Sequence, residues 1–339
     1  MRTGIIIILA AIGLAFTITP HFKFPSYFPQ PVYNFNDNTF TQAKIDLGRA
    51  LFYDPILSAN GSVSCESCHS PFNAFSHTDH AVSHGIYDSI GTRNAPALFN
   101  LAWKKSFMWD GAINHLDVQA LAPINHPAEM GETTLNVLAK LKSSSLYSGL
   151  FKKAWKDTAI TSQRMLKSLS SFLVSLTSTQ SKYDLVKQGK ASFTAQEAKG
   201  YALYKPLCGT CHSEPLFTNN EYLNNGLPKS EKYNDLGRYR ITKNPRDSFC
   251  FSVPSLRNLS YSYPYMHDGR FKTLYQVLNH YTSGIQLSST LHTALEKSIH
   301  LSPNEKTDLV AFILCLNDEK FAFDMKNRYP KNIFFPSKE

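Results

Sequence analysis

The chain has 339 residues, enough for two ordinary domains, and 42% of them are hydrophobic, which excludes a largely disordered protein. Its formal net charge is +9. The basic residues are scattered and form no Lys/Arg block, so the charge gives no support to nucleic acid as a partner. An ordinary solvated surface explains the surplus, and a docking patch for an acidic redox partner is the alternative.

The N-terminal segment is apolar. An apolar run follows Arg2, extends from Gly4 to Ile18 and ends before Pro20. Its length is typical of the core of a signal peptide and is short for a membrane span. We therefore expect residues 1–20 to be a signal peptide, with an uncleaved N-terminal anchor as the alternative because no clean cleavage site follows. Either reading places the body of the protein outside the cytoplasm, in the periplasm.

Capping residues predict where three helices begin. Thr41 is a candidate N-cap for the first of them. Thr194 precedes Glu197 by three residues, and Ser302 precedes Glu305 by the same interval. That spacing is typical of a capping box, in which each side chain bonds the backbone of the other residue. We found no convincing run of alternating strand residues, so the sequence predicts an all-α protein with long loops.

Two of these helices repeat one another. The sequence GRALF at residues 48–52 recurs as GYALY at residues 200–204. A glycine on a helix lets a second helix cross closely, and the aromatic residue would pack at the crossing. The stretch around residues 178–192 is rich in Ser and Lys and poor in large hydrophobic residues. We therefore expect two domains, residues 21–187 and residues 188–339.

A Cys-x-x-Cys-His motif follows each copy of the repeat. The first consists of Cys65-Glu66-Ser67-Cys68-His69, and the second of Cys208-Gly209-Thr210-Cys211-His212. In such a motif two thiols add to the vinyl groups of haem and the adjacent histidine ligates the iron. A zinc or redox Cys-x-x-Cys site would leave both histidines unexplained. The sequence thus predicts two covalently bound haems c, whose propionates reduce the surplus charge to about +5.

Two cysteines lie outside the haem motifs. Cys250 and Cys315 could form a disulfide in an exported protein. Buried thiols commonly pack as small hydrophobic groups. We expect the latter for this pair.

Between and after the haem motifs lie several further pieces of sequence. They are FMWDGA at 107–112, Gln119-Ala120, Pro123, EMG at 129–131, RNAP at 93–96, VPSLRN at 253–258 and PYMHDGR at 264–270. With this spacing the chain resembles, over about residues 40–320, the bacterial di-haem cytochrome c peroxidases and the related MauG-type enzymes. The resemblance implies two cytochrome-c-like domains whose haems face each other across the interface.

The resemblance also implies roles for residues beside the first haem. Peroxide bound at an open haem must lose a proton from one oxygen and regain it on the other, and one carboxylate can do both. The family gives this role to the residue that matches Glu129, and Gln119 lines the same pocket. Trp109 would lie between the haems and relay electrons. The alternatives are a solvated acid for Glu129 and a core aromatic residue for Trp109.

The second haem departs from the peroxidases proper, which use a methionine fourteen residues after the histidine of the PYxH motif. Counting from His267 reaches Tyr281, and MauG-type enzymes carry tyrosine at this place. We therefore expect His212 and Tyr281 as axial ligands. Tyr281 as a core residue, and ligation by His280 or Met266, are the alternatives. A phenolate stabilises Fe(III), whereas a thioether raises the reduction potential.

The resemblance implies further ligands for two metals, iron and calcium. His84 lies near the position at which some peroxidases carry a histidine that ligates the first haem at rest; other relatives have an apolar residue there, and both readings stay open. The family also places a calcium ion between the domains. By position, the side chain of Asn94 and the carbonyl groups of Ser262 and Pro264 would hold it, and oxygen ligands suit calcium.

The expected activity is reduction of hydrogen peroxide with electrons from a small cytochrome or copper protein. MauG-like oxidation of a partner protein is a second possibility, suggested by Tyr281. A non-catalytic electron-transfer cytochrome is a third, and Glu129 and Gln119 argue against it. A homodimer is possible.

Overall fold

The computed structural model describes residues 22–336, and the predicted apolar N-terminal segment lies outside them. The described chain is mostly helical, as predicted. Its two short strands, β1 (Tyr222–Leu223) and β2 (Phe251–Ser252), pair antiparallel with Tyr222 opposite Ser252. The α-helices are α1 (Gln42–Tyr53), α2 (Cys65–Cys68), α3 (Leu116–Gln119), α4 (Leu121–Asn125), α5 (Thr134–Ser143), α6 (Ser145–Trp155), α7 (Ser162–Ser175), α8 (Lys182–Lys187), α9 (Ala195–Leu207), α10 (Tyr239–Thr242), α11 (Leu274–Asn279), α12 (Pro303–Leu314), α13 (Glu319–Ala322) and α14 (Lys331–Phe334).

The three predicted helix starts are confirmed. The side chain of Thr41 accepts a hydrogen bond from the backbone N–H of Lys44 at the start of α1. Thr194 and Ser302 each form a complete capping box, the former with Glu197 and the latter with Glu305. Because a cap satisfies N–H groups that have no partner within the helix, these residues fix where α1, α9 and α12 begin.

Two helix pairs organise the chain: α1 crosses α7, and α9 crosses α12. The predicted role of the repeated glycine is confirmed in both. A β-carbon on Gly48 would lie 1.9 Å from the carbonyl oxygen of Ser168, and one on Gly200 would lie 1.9 Å from that of Asp308. No side chain fits in that space, so glycine is what permits each helix pair to approach so closely. We call residues 42–175 the N-terminal copy and residues 195–314 the C-terminal copy.

Each crossing is surrounded by its own hydrophobic core. The aromatic residue of the repeat packs on the partner helix in both copies: the Phe52 ring lies 5.2 Å from that of Phe172, and the Tyr204 ring lies 5.0 Å from that of Phe312. The first core contains most of the buried residues between Phe28 and Leu176, and Phe321 of α13 returns to join it. The second core gathers Tyr183 with residues of α9, α11 and α12.

The duplication extends beyond the helices. Residues 95–121 and 253–279 match without gaps at a constant offset of 158 residues. Asn100 and Asn258 both adopt positive φ and precede a short 3₁₀-helix. Met108 and Met266 also share positive φ, at 69° and 75°. The spacing therefore reflects equivalent backbone geometry and makes Trp109 and His267 equivalent residues.

The two copies are joined at a buried serine. The side chain of Asn100 bonds both backbone groups of Ser178, and Asn258 Nδ2 donates to Ser178 Oγ. Nearby, the fully buried Arg257 forms two hydrogen bonds of 2.8 Å with Asp184. Breaking such a buried pair leaves an uncompensated charge, so the pair fixes the C-terminal copy to the connecting helix α8. Within residues 22–336 no helix is long and apolar enough to cross a membrane.

Cys250 and Cys315 are both buried and free, as predicted. Desolvation raises the pKa of both thiols, to about 11 and about 12. Their Sγ atoms contact backbone carbonyl oxygens, in the case of Cys315 that of Ala311 at 3.4 Å within α12. They pack as small side chains.

Candidate active site at two haem-attachment loops

The cysteines of the first Cys-x-x-Cys-His motif begin and end the short helix α2, and His69 follows as its C-cap. His69 Nδ1 donates to the carbonyl oxygen of Phe75, at 2.9 Å. Phe75 is buried and has a positive φ of 58°, and in this backbone conformation its carbonyl oxygen points at the His69 ring. Desolvation lowers the pKa of His69 to about 4. The imidazole is therefore neutral, with Nε2 left to bind a metal.

The second motif repeats this arrangement at the C-terminal end of α9. His212 Nδ1 donates to the carbonyl oxygen of Pro254, at 3.0 Å, and lies 3.3 Å from that of Phe217. Phe217 has φ 56° and is buried, like its counterpart Phe75. Desolvation lowers the pKa of His212 to about 4 as well. Both histidines thus have the tautomer and orientation that iron ligation needs.

A cavity of about 290 Å³ lies beside the second motif and reaches towards Trp109. Cys208, Cys211 and His212 line one part of it. The other lining residues include Asn94, Lys104, Met108, Trp109, Ser262, Pro264, Met266, His267 and Tyr281. The structure therefore brings several of the predicted site residues to one cavity.

Tyr281 faces this cavity from a five-residue π-helix, His280–Gly284, that continues α11. Desolvation raises the pKa of its phenol to about 12, and the Cys208 and Cys211 thiols add to the effect, so the ring lies close to the attachment loop. Asn225 Nδ2 lies 3.4 Å from the Tyr281 hydroxyl oxygen. The neighbouring His280 is turned to another partner: its Nε2 forms a hydrogen bond with the carbonyl oxygen of Asn225, at 3.0 Å.

Trp109 and His267 meet where the two copies face each other. Their ring centroids are 6.5 Å apart, and His267 stacks on Phe251 at 3.6 Å. Asn94 holds both: Trp109 Nε1 donates to its carbonyl oxygen at 2.8 Å, and its N–H donates to the carbonyl oxygen of His267 at 2.7 Å. The indole is therefore held rigidly at the junction between the copies.

Glu129 lies on the loop after α4, and its side chain is 39% exposed. Desolvation raises the pKa of its carboxyl, whereas His126, with Nδ1 at 3.8 Å, lowers it. Burial is the main cause of the raised thiol pKa of Cys65 and of Cys68, and the charge of Glu129 contributes to both. The structure therefore places this carboxyl beside the first attachment loop.

Gln119 ends α3, and its Nε2 lies 3.8 Å from Met108 Sδ. Met108 lines the cavity that also contains Trp109. The amide therefore faces the WDG segment, on the side of the N-terminal copy.

His84 lies on the surface close to the first attachment loop. Its Nδ1 is 2.7 Å from Asp88 Oδ1, and its carbonyl oxygen is 3.7 Å from Cys68 Sγ. The next residues bring this loop to Glu129, since Ile86 N–H donates to the Glu129 carbonyl oxygen at 2.8 Å. A carboxylate on one ring nitrogen is the usual partner of a histidine whose other nitrogen binds metal.

The three predicted calcium ligands, Asn94, Ser262 and Pro264, line the same cavity. Asn94 is buried, and its Nδ2 donates to the carbonyl oxygen of Ala81 at 3.0 Å, which leaves Oδ1 for another partner. Among residues 22–336 no three His, Cys, Asp or Glu side chains converge into a metal site.

Two features of the site were not predicted from the sequence. Pro123, on α4, is the residue equivalent to Tyr281 at the offset of 158 residues. Proline has no side-chain atom that could ligate iron, so the phenol of Tyr281 in one copy has no equivalent ligand in the other. Comparing the two halves of the sequence without gaps would have revealed it.

The other feature is Lys104, which lines the cavity. Desolvation lowers the pKa of its ammonium to about 8, and within residues 22–336 no carboxylate lies within ion-pair distance. A cation in such a place fits an anionic group of a bound cofactor. The cavity, the neutral histidines and this lysine all fit haem. The two loops therefore define a di-haem c-type cytochrome with a carboxyl beside one haem.

Comparisons with known proteins agree with this class. The family described as di-haem cytochrome c peroxidase matches residues 42–192. The MauG methylamine utilization protein of Methylorubrum extorquens is 35% identical over 311 residues, covering 90% of this chain and 85% of that protein. The cytochrome c551 peroxidase of Nitrosomonas europaea is 32% identical over 293 residues, covering 85% and 84%.

A solved structure of a MauG-like protein associated with microbial copper homeostasis superposes with a TM-score of 0.84 at 30% identity, covering 92% of this chain and 99% of that one. The chain belongs to the family of di-haem cytochrome c peroxidases and MauG proteins. It is an oxidoreductase with two haems c that acts on peroxide.

Proposed function

We propose that the two copies divide the reaction: hydrogen peroxide reacts at the haem of Cys65, Cys68 and His69, and the haem of Cys208, Cys211 and His212 relays electrons. The observation that carries this assignment is the contrast between Pro123 and Tyr281 at equivalent positions. Glu129 lies near Cys65 and Cys68, in the copy that carries Pro123. Domains at residues 21–187 and 188–339 remain our proposal for the organisation.

A haem held by Cys65, Cys68 and His69 would supply an iron centre that binds peroxide and takes up its oxidising equivalents. Glu129 would accept the proton of one peroxide oxygen and return it to the other, which leaves as water. Its raised pKa suits this double role, because a carboxyl that titrates nearer the working pH both accepts and donates. The Gln119 amide orients peroxide, and Pro123 leaves room for it.

On the other side, His212 and Tyr281 would hold the iron of the second haem. Trp109, fixed by its bond to Asn94, connects the two copies for electron transfer. Lys104 balances a propionate charge in the cavity. Asn94 Oδ1 and the carbonyl oxygens of Ser262 and Pro264 are proposed to hold calcium, whose charge would stiffen the junction that also positions Trp109.

His84 is proposed as a removable ligand of the first haem, supported by its Asp88 partner and by its position beside Cys68. The electron donor is proposed to be a small cytochrome or copper protein, and the location the periplasm, where haem attachment to cysteine takes place. The possible homodimer stays a prediction.

MauG-like oxidation of a partner protein is a second candidate function, and one observation favours it. Tyr281 faces the second haem-attachment loop, where the phenolate would stabilise Fe(III) and make that haem a poor electron acceptor. The relay would then share oxidising equivalents through Trp109 rather than collect electrons from a donor.

One experiment separates these functions. The di-ferric and half-reduced proteins are mixed with peroxide, with and without a reduced small cytochrome, and the haem absorption bands are followed. Turnover that requires half-reduction supports a peroxidase gated by His84. A long-lived oxidised species formed directly from the di-ferric protein supports the MauG-like function. The absence of any reaction in both forms would contradict the two together.

A further inference from the structure

Three tyrosines gather on the proximal side of the second haem loop, away from the cavity that holds Tyr281. The hydroxyl of Tyr204 donates to the carbonyl oxygen of His212 itself. Tyr183 donates to Glu214 Oε2 at 2.7 Å, and Glu214 follows His212 by two residues. Burial and the nearby Glu214 carboxylate raise the pKa of Tyr201, so this phenol also lies close to Glu214. None of these residues takes part in the peroxide chemistry described above.

The rings form a continuous contact that leads outward. Tyr204 is buried against the haem loop, and the Tyr201 ring stacks 6.3 Å from it at an interplanar angle of 13°. Tyr201 is only partly buried, with the Nζ of Lys205 4.4 Å from its ring centroid. The path from the backbone of His212 to the protein surface therefore takes two aromatic steps.

The N-terminal copy serves as an internal comparison. Phe52 replaces Tyr204 in the repeat, and Arg49 replaces Tyr201. After the haem histidine, the first copy continues Ser70-Pro71 where the second has Ser213-Glu214. The backbone of the repeat needs no tyrosine, since Phe52 makes the same helix-crossing contact. The phenol groups and the carboxylate are additions that only the C-terminal copy carries, and core packing does not account for them.

A phenol can be oxidised by one electron when a base takes its proton. Burial raises the pKa of Tyr201 and of Tyr204 above the ordinary value, so both stay protonated at rest. Glu214 lies 3.7 Å from Lys187 Nζ, accepts a hydrogen bond from Tyr183 and lies near the Tyr201 phenol. A carboxylate in that place can accept the proton as the electron leaves.

We propose that Tyr204 and Tyr201 conduct an electron from the protein surface to the second haem after peroxide has oxidised the haem pair. Tyr201 loses one electron, by way of Tyr204, to the haem, and its phenolic proton passes to Glu214. The product is a neutral tyrosyl radical on Tyr201 where a reductant in solution can reach it. The reductant then returns one electron, and the proton returns from Glu214. The inference rests on the peroxide reaction proposed above.

The test uses the full-length protein with both haems, mixed with peroxide in the absence of an electron donor. Samples frozen at intervals are examined by electron paramagnetic resonance, and a nitroso spin trap followed by peptide mass spectrometry locates the radical. We expect a tyrosyl signal with the trap on Tyr201. The substitution Tyr201→Phe should remove most of that signal, and Tyr204→Phe should delay its appearance.

The C-terminal copy offers a matched control. Tyr275 is also partly exposed and also lies near a lysine, with Lys306 Nζ 5.2 Å from its ring centroid, but no aromatic contact joins it to the haem loop within the described residues. Tyr275→Phe should leave the radical unchanged. Haem absorption and far-ultraviolet circular dichroism check that each variant binds haem and folds.

The haem bands recorded in the same samples separate two kinds of failure. If peroxide oxidises the haems and the tyrosyl signal is identical in the wild type, Tyr201→Phe and Tyr204→Phe, the tyrosine path is overturned. The peroxide reaction is then left intact. Haem bands that do not respond to peroxide would overturn both.

Discussion

The N-terminal and C-terminal copies share their construction and differ where chemistry takes place. Both have a glycine crossing, a haem histidine whose Nδ1 donates to a backbone carbonyl oxygen, and an asparagine that bonds Ser178. The copies differ at two pairs of equivalent positions: Pro123 in the first corresponds to Tyr281 in the second, and Trp109 corresponds to His267. The shared residues form a common scaffold, and the residues that differ are those to which we assign different functions in the two copies.

The residues that we propose for the reaction are divided between the copies. Pro123 and Glu129 belong to the N-terminal copy, whereas Tyr281, Tyr201 and Tyr204 belong to the C-terminal copy. Asn94 bonds Trp109 of its own copy and His267 of the other, so the junction is built from both.

The largest expected effect concerns Glu129, which has no counterpart in the C-terminal copy. Glu129→Gln should slow peroxide cleavage by about 10²- to 10⁴-fold, the usual range for a general acid–base residue. Stopped-flow measurement of the haem bands gives the rate. Glu66→Gln is the control, because Glu66 is also partly buried beside the first haem loop. An equal loss in both variants would show a general electrostatic effect rather than proton transfer.

The helix crossings provide a second way to compare the copies. Gly48→Ala and Gly200→Ala each force a β-carbon into a carbonyl oxygen, and each should lower the free energy of unfolding by about 1–3 kcal/mol or more. Chemical denaturation with haem absorption as the probe measures this. Gly149→Ala in α6 has open space around it and should stabilise by about 0.5–1 kcal/mol. Similar results at all three positions would contradict the role of close helix approach.

A smaller effect is expected in the pH dependence of the peroxide reaction. Because burial raises the pKa of Glu129 and the reaction begins with its deprotonated form, the rate should fall on acidification at a higher pH than an ordinary glutamate would give. His126→Ala removes a nearby positive charge and should move the fall to still higher pH. Rates measured across acidic pH test this. If the rate falls at the same pH in His126→Ala as in the wild type, the interaction between His126 and Glu129 is excluded.

Much of the scaffold could be predicted from local sequence. Thr41, Thr194 and Ser302 mark helix starts because a cap involves residues only three apart. The haem motifs are equally local. Several predicted site residues, among them Asn94, Trp109 and Tyr281, line one cavity because distant segments fold together, whereas Glu129 lies beside the other attachment loop. The positions of these residues came from family resemblance rather than from spacing.

Other features depend on contacts that no local pattern reveals. Lys104 and Lys105 are adjacent lysines that the sequence does not distinguish. Only the folded chain shows that Lys104 faces a cavity, whereas Lys105 faces solvent. The hydrogen bonds of Asn100 and Asn258 converge on Ser178 from segments 78 and 80 residues away. The π-helix that presents Tyr281 likewise gives no signal in hydrophobic periodicity.

We propose that Tyr281 ligates the second haem, whereas Glu129 acts at the first. Electron paramagnetic resonance of the di-ferric protein and of Tyr281→Phe distinguishes the two haems. We predict that the substitution converts the low-spin signal of the second haem into a high-spin signal, leaves the signal of the first haem unchanged, and lets the second haem bind cyanide. Spectra and cyanide binding that are the same in Tyr281→Phe as in the wild type would show that Tyr281 is not a ligand of the second haem.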